Sequence, residues 1–361
     1  MTNSVFFAGQ KKNKYVKGSL ILSPIPVKTN VPIYSNEDII MNKDDVTLEI
    51  GGTSGIIFHT QLNYFLFIFA ALFCCLLPLY FFGGISGIVD SSIHTEFING
   101  GYERKFSLYD FIGFFLFCFG PFTVFTSISL YNIFSFHIMS RRILPIRFNR
   151  QRREVIFSIW NKETKSTEYR FFPWERVCAL VGGQTFLSTA GVATSSGLLI
   201  GVSDEQNEEQ MWSGMSFSAI SELHAAGMWE MIRCFMEEPN GYKKIGNPRP
   251  YTLDGLIEEY CQSQNIDKKN FPLSTKIWWM LNGTYLGVLR IKWEQQSMMN
   301  RAVKFPEIIE WSKPIPESEW ARPSEELCYY NRMLEQNDYA MGDTIFNVGD
   351  LREKYRYKAK S

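Results

Sequence analysis

The feature that most constrains this chain is a pair of long segments without charged side chains in its N-terminal half. No Asp, Glu, Lys or Arg lies between Glu49 and Asp90, and none lies between Asp110 and Arg141. A helix rises about 1.5 Å per residue, so about 20 apolar residues cross the roughly 30 Å hydrocarbon core of a bilayer. Both segments are long enough to do so.

We therefore predict a transmembrane hairpin over residues 58–140, with spans at about 62–83 and 111–134 and a short external linker between them. The alternative is a pair of buried helices in a soluble protein. A helix that is apolar on every face belongs either in a large core or in a membrane, and the length of these two segments favours the membrane.

The charges that flank the spans predict their orientation, because Lys and Arg are retained on the cytoplasmic side of a membrane. The second span is followed by six arginines before the first acid, and we call them the arginine cluster: Arg141, Arg142, Arg147, Arg150, Arg152 and Arg153. The linker between the spans is mostly acidic. The sequence predicts a multi-pass membrane protein with both termini in the cytoplasm. The cluster marks this topology or, alternatively, contacts anionic lipid head groups.

The segment after the arginine cluster alternates apolar and polar residues and predicts strands within 146–160, 168–172, 177–181 and 197–202. Residues 218–236 have the spacing of an amphipathic helix. The expected fold is therefore a membrane protein of α+β class, in which the hairpin precedes a small antiparallel sheet with a covering helix. The expected parts are an N-terminal cytoplasmic segment (1–57), the hairpin (58–140), the α+β domain (141–240) and a helical, Trp/Pro-rich extension with a polar, partly disordered tail (241–361).

Residues 276–293 are aromatic and basic at both ends, and their uncharged part is too short to span a bilayer. Our preferred interpretation is a core helix of the cytoplasmic domain. Two alternatives remain open, which are a helix in the membrane interface with its tryptophans at head-group depth and a shortened or re-entrant third span.

A short internal repeat follows, in which two residues separate a Glu-Trp pair from a Pro. It places Trp311 and Pro314 in the first copy and Trp320 and Pro323 in the second. Proline favours extended backbone. The repeat is either a strap whose tryptophans pack onto the domain or a peptide that binds a partner through these four residues.

The sequence predicts no enzyme, and no catalytic, metal or cofactor-binding residue is assigned. The four histidines, at 59, 94, 137 and 224, lack the spacing of a metal site. Phosphate-binding glycine motifs and the GxSxG elbow are absent from the sequence, and His224 near Ser216 does not make a triad. The net charge is zero, so composition gives no support for nucleic-acid binding.

The arrangement of an Asn/Arg-rich turn, Phe148 to Val155, before Phe172-Pro-Trp-Glu175 resembles that of bacterial pleckstrin-homology-like domains, over residues 143–238. With the stretch from Pro306 to Pro323, the whole chain resembles a family of uncharacterised enterobacterial two-span membrane proteins associated with type VI secretion effector loci. The resemblance implies a location in a bacterial inner membrane, and it implies no activity for particular residues.

Two functions are therefore expected as alternatives. The first is a non-enzymatic, membrane-anchored binding protein, an immunity or accessory protein of a type VI, contact-dependent secretion system with a partner such as a secreted effector. The second is a lipid-sensing or membrane-organising protein that binds anionic lipid through the arginine cluster. Membrane lipids are partners in both.

Overall fold

The computed structural model describes residues 7–12, 18–51, 56–98, 101–188, 191–204, 211–249 and 251–358. The strands are β1 (Lys11–Lys12), β2 (Ser19–Ser23), β3 (Ile40–Lys43), β4 (Thr47–Ile50), β5 (Ile93–Ile98), β6 (Gly101–Phe106), β7 (Ile146–Asn149), β8 (Glu154–Asn161), β9 (Ser166–Pro173), β10 (Val177–Ser188), β11 (Gly191–Ser203) and β12 (Met211–Ala219). The helices are α1 (Ile56–Phe82), α2 (Ile85–Ser91), α3 (Leu108–Ser140), α4 (Glu222–Glu237), α5 (Gly241–Lys244), α6 (Leu253–Gln264), α7 (Leu273–Leu281), α8 (Thr284–Ala302), α9 (Pro306–Trp311), α10 (Glu325–Gln336), α11 (Ile345–Val348) and α12 (Leu351–Tyr355).

These elements form two compact units, neither of which is continuous in sequence. Unit 1 comprises residues 1–54, 141–250 and 295–361, and unit 2 comprises 55–140 and 251–294. The expected four consecutive parts are thus arranged differently, because β-strand pairing joins segments that lie far apart in the chain. The mixed α+β class is confirmed.

Unit 1 contains two antiparallel five-stranded sheets, in the orders β1-β2-β10-β11-β12 and β3-β4-β7-β8-β9. The predicted strands after the arginine cluster are present as β7 to β11. The N-terminal segment, for which no strand was predicted, supplies β1 to β4. β4 pairs with β7 so that Ile50 faces Ile146 in register, although the whole of α1 to α3 lies between them in sequence.

Both sheets of unit 1 and α4 line one large hydrophobic core. Residues 225–236 of α4 are buried throughout. At the centre, the ring centroid of Trp174 lies 5.0 Å from that of Trp229 on α4, and the Trp174 indole N–H donates to Glu237 Oε1 at 2.7 Å. The predicted covering helix is confirmed, although its first residues, Ser218 and Ala219, belong to β12 because they pair with β11.

The C-terminal tail contributes to the same core and is not a loose extension over its described residues. Leu327, Tyr330 and Leu334 of α10 are buried. Asp338 is 2% exposed and accepts hydrogen bonds from Lys354 and from the Tyr355 hydroxyl. The polar composition of the tail led to the expectation of partial disorder. Its few apolar residues are spaced to face one side of a helix, which is sufficient to order it.

Unit 2 contains two helices, α1 and α3, that are long and apolar enough to cross a membrane. They extend beyond the expected spans at both ends except that α1 stops at Phe82. Only 12% of the most apolar stretch of α1 and 6% of that of α3 are buried. Aromatic side chains of the two helices meet, for instance Phe67 with Phe122 at 5.8 Å. This exposure does not fit the alternative of two buried helices in a soluble core.

The segment between α1 and α3 folds as α2 followed by a two-stranded hairpin, β5–β6. Within the same unit, residues 276–293 fall on two helices, α7 and α8, separated at Asn282 and Gly283. This segment belongs to unit 2, together with α1 and α3, and not to unit 1, which contains the two five-stranded sheets. The preferred interpretation, a core helix of the cytoplasmic domain, is therefore not supported.

Candidate functional site

The structure places most of the arginine cluster inside unit 1, in contact with protein groups. Arg147 forms an ion pair with Glu49, its register partner on β4, and donates to Ser312 Oγ at 2.8 Å. Arg153 is 8% exposed and forms a two-point ion pair with Glu237, with N–O distances of 2.7 and 2.9 Å. Such geometry is the strong form of a carboxylate–guanidinium contact.

The remaining arginines also contact protein groups. Arg150 donates to the backbone oxygens of Glu238 and Pro239, and Arg152 Nε donates to the Trp311 carbonyl at 3.0 Å. The guanidinium of Arg142 lies 5.1 Å from the Trp160 ring centroid. The cluster therefore contributes to the packing of unit 1, and its density in the sequence does not translate into a free basic surface.

The two copies of the Glu-Trp repeat differ in burial. Trp311 is 9% exposed, and its indole N–H donates to Glu154 Oε2 at 2.6 Å. Trp320 is 39% exposed, and its indole N–H donates to the Ile315 carbonyl at 3.1 Å. Pro314 and Pro323 are exposed. The strap interpretation fits Trp311, whereas Trp320 and the two prolines remain available to a partner.

Pro323 lies at one end of a surface groove of about 610 Å³, which we call the basic groove. Its first wall is α10, which begins at the N-cap Ser324, whose Oγ accepts from Leu327 N at 3.1 Å. Because helical neighbours recur at three and four residues, the buried stripe of α10 leaves a second stripe facing outward. That outward stripe lines the groove with Glu325, Cys328, Tyr329 and Arg332.

The second wall is the segment after α12, Arg356 to Lys358. Arg356 has a left-handed backbone, with φ of 43°, which ends α12 and turns the chain back along α10. The Tyr329 hydroxyl donates to the Tyr355 carbonyl at 2.8 Å, and the Tyr329 and Tyr357 rings lie 5.3 Å apart. These contacts fix the two walls relative to each other.

The basic groove carries three cations, Arg332, Arg356 and Lys358, against the single carboxylate of Glu325. All three side chains are exposed, and none forms an ion pair or side-chain hydrogen bond within the described residues. Desolvation and the nearby carboxylates of Glu325 and Glu326 raise the pKa of Tyr357. The groove offers fixed hydrogen-bond donors and positive charge, the complement of carboxylates.

A smaller cavity of about 230 Å³ opens elsewhere in unit 1, lined by apolar residues together with Glu175, Arg176, Cys178, Ser203 and Glu326. Glu175 already accepts from Arg153 at 3.1 Å and from Ser324 N at 3.0 Å. Cys178 Sγ lies 3.5 Å from Ser203 Oγ, and no histidine lines this cavity to act as their base.

The structure pairs His224 with Ser221 and not with Ser216. His224 Nδ1 lies 2.7 Å from Ser221 Oγ, which also accepts from the His224 backbone N–H at 3.3 Å. Ser221 is the N-cap of α4, so helix capping accounts for the pair. Among the described residues, no group of three or more His, Cys, Asp or Glu side chains could hold a metal ion.

Comparison with protein-family models, with curated proteins and with solved structures finds no significant match to the chain. The resemblance to enterobacterial two-span proteins and to pleckstrin-homology-like domains therefore stays a prediction.

The basic groove was not predicted from the sequence, although two sequence signals point to it. The first is the basic end of the chain, with Lys or Arg at 352, 354, 356, 358 and 360, but the sequence does not separate the roles of these residues. Arg352 lies over the Phe7 ring at 4.3 Å and Lys354 pairs with Asp338, whereas Arg356 and Lys358 reach the groove. The spacing of apolar residues in α10 was the second signal, since it predicts an outward stripe that includes Arg332.

Proposed function

We propose that this chain is a non-enzymatic, membrane-anchored binding protein that holds an acidic segment of a protein partner in the basic groove. The observation that carries the proposal is a set of three exposed cations that have no ion-pair partner among the described residues and are placed around two tyrosines in a groove with fixed walls. Most of the arginine cluster, in contrast, is occupied by the fold. Charge complementarity selects acidic peptides and steers their association.

The test is binding of a Glu-rich peptide to the full-length protein in detergent micelles, compared with binding of its Gln-substituted counterpart. The variant Arg332→Gln/Arg356→Gln/Lys358→Gln removes the groove cations. The control Lys162→Gln/Lys165→Gln/Lys304→Gln removes the same charge from exposed positions elsewhere in unit 1. The control is also matched in backbone, because Lys165 shares the left-handed conformation of Arg356, with φ of 51°.

We expect the groove variant to bind the Glu-rich peptide about tenfold more weakly, since three partly exposed charge pairs together contribute about 1–2 kcal/mol. The control should bind like the wild type. Equal binding by both variants, or equal binding of the Glu-rich and Gln-rich peptides, would exclude the groove as an acidic-peptide site.

We place the protein in a bacterial inner membrane with α1 and α3 as spans and both termini in the cytoplasm. The exposed apolar surfaces of the two helices support the anchor, and the asymmetry of Lys and Arg at their flanks supports the orientation. Protease protection of N- and C-terminal tags in right-side-out and inverted vesicles tests both. With both termini in the cytoplasm, both tags should be protected in right-side-out vesicles and cleaved in inverted vesicles. Cleavage of either tag in right-side-out vesicles would overturn the orientation.

The finer proposal is an immunity or accessory role in a type VI secretion system, in which the acidic partner is a secreted effector. It rests on the sequence resemblance alone. Deleting the gene in cells that carry the neighbouring effector gene should cause intoxication by sister cells. Normal growth in dense co-culture would exclude the immunity role and leave the groove proposal unaffected.

The lipid-sensing alternative has less support. It assigns head-group binding to the arginine cluster, whose members Arg147, Arg150 and Arg153 are occupied by protein carboxylates, hydroxyls and carbonyls. Flotation of the protein with vesicles that contain different fractions of anionic lipid would revive this alternative if recovery depended on Arg141 and Arg142.

A further inference from the structure

The turn region of α7 and α8 is uncharged and largely apolar on its outside. No charged residue occurs from Ile277 to Leu289. Six large apolar side chains of this stretch are exposed, from 47% at Ile277 to 59% at Met280, and we call them the apolar tip: Ile277, Trp278, Met280, Leu281, Leu286 and Leu289. So many exposed apolar side chains on two short, successive helical segments are unfavourable in water and indicate a surface that lipid or protein covers.

The turn itself satisfies its polar groups internally. The Asn282 backbone N–H donates to the Trp278 carbonyl at 2.9 Å. Asn282 Oδ1 accepts from the Thr284 backbone N–H at 3.0 Å and from Thr284 Oγ1 at 2.6 Å. Gly283 takes the positive φ of 76° that a side chain would oppose. A turn that no water surrounds needs such hydrogen bonds between its own polar groups.

Contacts with α1 locate the turn along that helix. The Gln61 side chain donates to Thr284 Oγ1 at 3.0 Å, and a Cβ added to Gly283 would lie 3.0 Å from the Tyr64 ring. Further along α8, a Cβ added to Gly287 would lie 3.1 Å from Ile57 Cα. α8 therefore runs back toward the start of α1, and the turn lies about 12 Å along the α1 axis from Ile56.

The tip is too short to cross a bilayer. α7 has nine residues, which span about 14 Å, less than half of the roughly 30 Å hydrocarbon thickness. Charges resume on both sides of the tip, at Lys276 on α7 and at Arg290 and Lys292 on α8. The chain thus enters and leaves the apolar phase on one side.

We propose that α7 and the first turns of α8 form a re-entrant helix pair whose apolar tip lies among the lipid acyl chains of one leaflet, beside the first turns of α1. The occupant is lipid because the tip is continuous with α1, whose own exposed surface is apolar and uncharged from Ile56 to Phe82. The proposal rests on the membrane anchoring proposed above. It adds a third lipid-embedded element and keeps the C-terminal part of the chain on the side where it started.

The test is spin-label accessibility of the full-length protein in phosphatidylcholine/phosphatidylglycerol vesicles. A nitroxide side chain is introduced as a noncanonical amino acid, because the seven native cysteines prevent selective thiol labelling. Residue 281 reports the tip and residue 286 provides a second position in case one label disturbs folding. Residue 72 on α1, where Leu72 is 56% exposed, reports the anchor, and residue 269, an exposed lysine, reports water.

We expect residues 281 and 286 to behave like residue 72, with ready access to oxygen and little access to a water-soluble nickel chelate, while residue 269 is open to the chelate. Chelate access at both tip positions would overturn the re-entrant pair. Access to neither reagent would also overturn it, because protein, for example a second copy of the chain, would then cover the tip.

Two further outcomes separate this proposal from the anchoring proposal. Chelate access at residue 72 would mean that the anchor itself is wrong. Protection of N- and C-terminal tags on opposite sides of the vesicle, with lipid exposure at residue 281, would show a complete third crossing and overturn the re-entrant geometry alone.

Discussion

The arginine cluster and the basic groove are both rich in positively charged side chains, but they differ in how far other protein groups hold these charges. In the cluster, Arg147 and Arg153 are held by carboxylates of β4 and α4, and Arg150 by backbone carbonyls. In the groove, Arg332 and Lys358 have no ionic partner within the described residues. The comparison shows that the density of positive charge in a sequence does not measure its availability. Availability depends on which acids the fold brings to each cation.

The largest effect is expected from Arg153→Ala. The side chain is buried in a two-point pair with Glu237 and also contacts the partly exposed Glu175, so its removal leaves the Glu237 carboxylate without a counter-charge in a largely buried position. Removing one partner of a buried pair costs about 3–5 kcal/mol. We expect the free energy of unfolding in detergent micelles to fall by that amount in urea titrations. Arg141→Ala, at an exposed position, is the control.

A change below about 1 kcal/mol for Arg153→Ala would mean that the cluster is as available as the groove, and the comparison would fail. The double variant Arg153→Met/Glu237→Met sharpens the test. It removes both charges together, and it should be less destabilising than Arg153→Ala because no unpaired carboxylate remains at position 237.

The next largest effect separates the two copies of the Glu-Trp repeat. Trp311→Ala removes a buried ring that packs with Phe171 at 5.4 Å and leaves Glu154 without its indole donor. Truncation of a buried aromatic costs about 3–5 kcal/mol, and the lower end applies here since the ring sits at the edge of the core. Trp320→Ala should cost less than about 1 kcal/mol, as for an exposed site without a special role.

Thermal unfolding of the two tryptophan variants provides the measurement. Equal destabilisation would show that both tryptophans belong to the strap and that Trp320 is not available to a partner. If Trp320→Ala left stability unchanged and also weakened binding of the Glu-rich peptide, the binding surface would extend from the groove along the strap to Pro314.

The sequence predicted the two long helices of unit 2, α1 and α3, because the length and apolar composition of a segment indicate its surroundings without reference to the rest of the chain. The strands β7 to β11 were also predictable, since alternation of apolar and polar residues is a local signal. The strands of the N-terminal segment were not. Leu20 and Leu48 are core residues only because β2 pairs with β10 and β4 with β7, across long separations in sequence.

The candidate site was less predictable than the fold. Arg153 and Arg356 both lie in basic stretches, and no local pattern shows that one meets Glu237 whereas the other turns into a groove. Likewise Trp311 and Trp320 have nearly the same neighbours in sequence. Their difference arises from Glu154 on β8, which lies beside only one of them.

A smaller effect is expected on the stability of the groove variant. Because Arg332, Arg356 and Lys358 are exposed and form no ion pair with any residue that the structure describes, their joint replacement by Gln should change the free energy of unfolding by less than about 0.5 kcal/mol. Binding of the Glu-rich peptide should nevertheless weaken, and the dependence of its Kd on salt concentration should become shallower. Destabilisation comparable to that of Arg153→Ala would show that the groove cations are structural, like those of the cluster.

The smallest effect concerns the tyrosines that tie the C-terminal tail to unit 1. Burial and nearby carboxylates raise the pKa values of Tyr339 and Tyr355, and burial with the Glu307 hydrogen bond raises that of Tyr169 to about 12. An unfolded tyrosine ionises near pH 10. Above that pH the unfolded state releases protons that the folded state keeps, so stability is fully present below about pH 10 and is lost as the pH rises through the folded pKa values.

We expect Tyr339→Phe to reduce the slope of stability against pH above pH 10, because one of these linked groups is removed, with a difference under about 1 kcal/mol at pH 10.5. The hydroxyl of Tyr339 donates to the Lys28 carbonyl, so the variant should also be slightly less stable at neutral pH. Melting temperatures from pH 8 to 11, with tyrosinate absorbance at 295 nm, provide the measurement. Tyr102→Phe, at a position 79% exposed on β6, is the control and should leave the slope unchanged.

An unchanged slope in Tyr339→Phe would mean that water reaches the tail at this point, as the polar composition of the tail suggested. The wall of the basic groove that the tail forms would then be held less firmly by the core than the contacts of Asp338 and Tyr355 indicate.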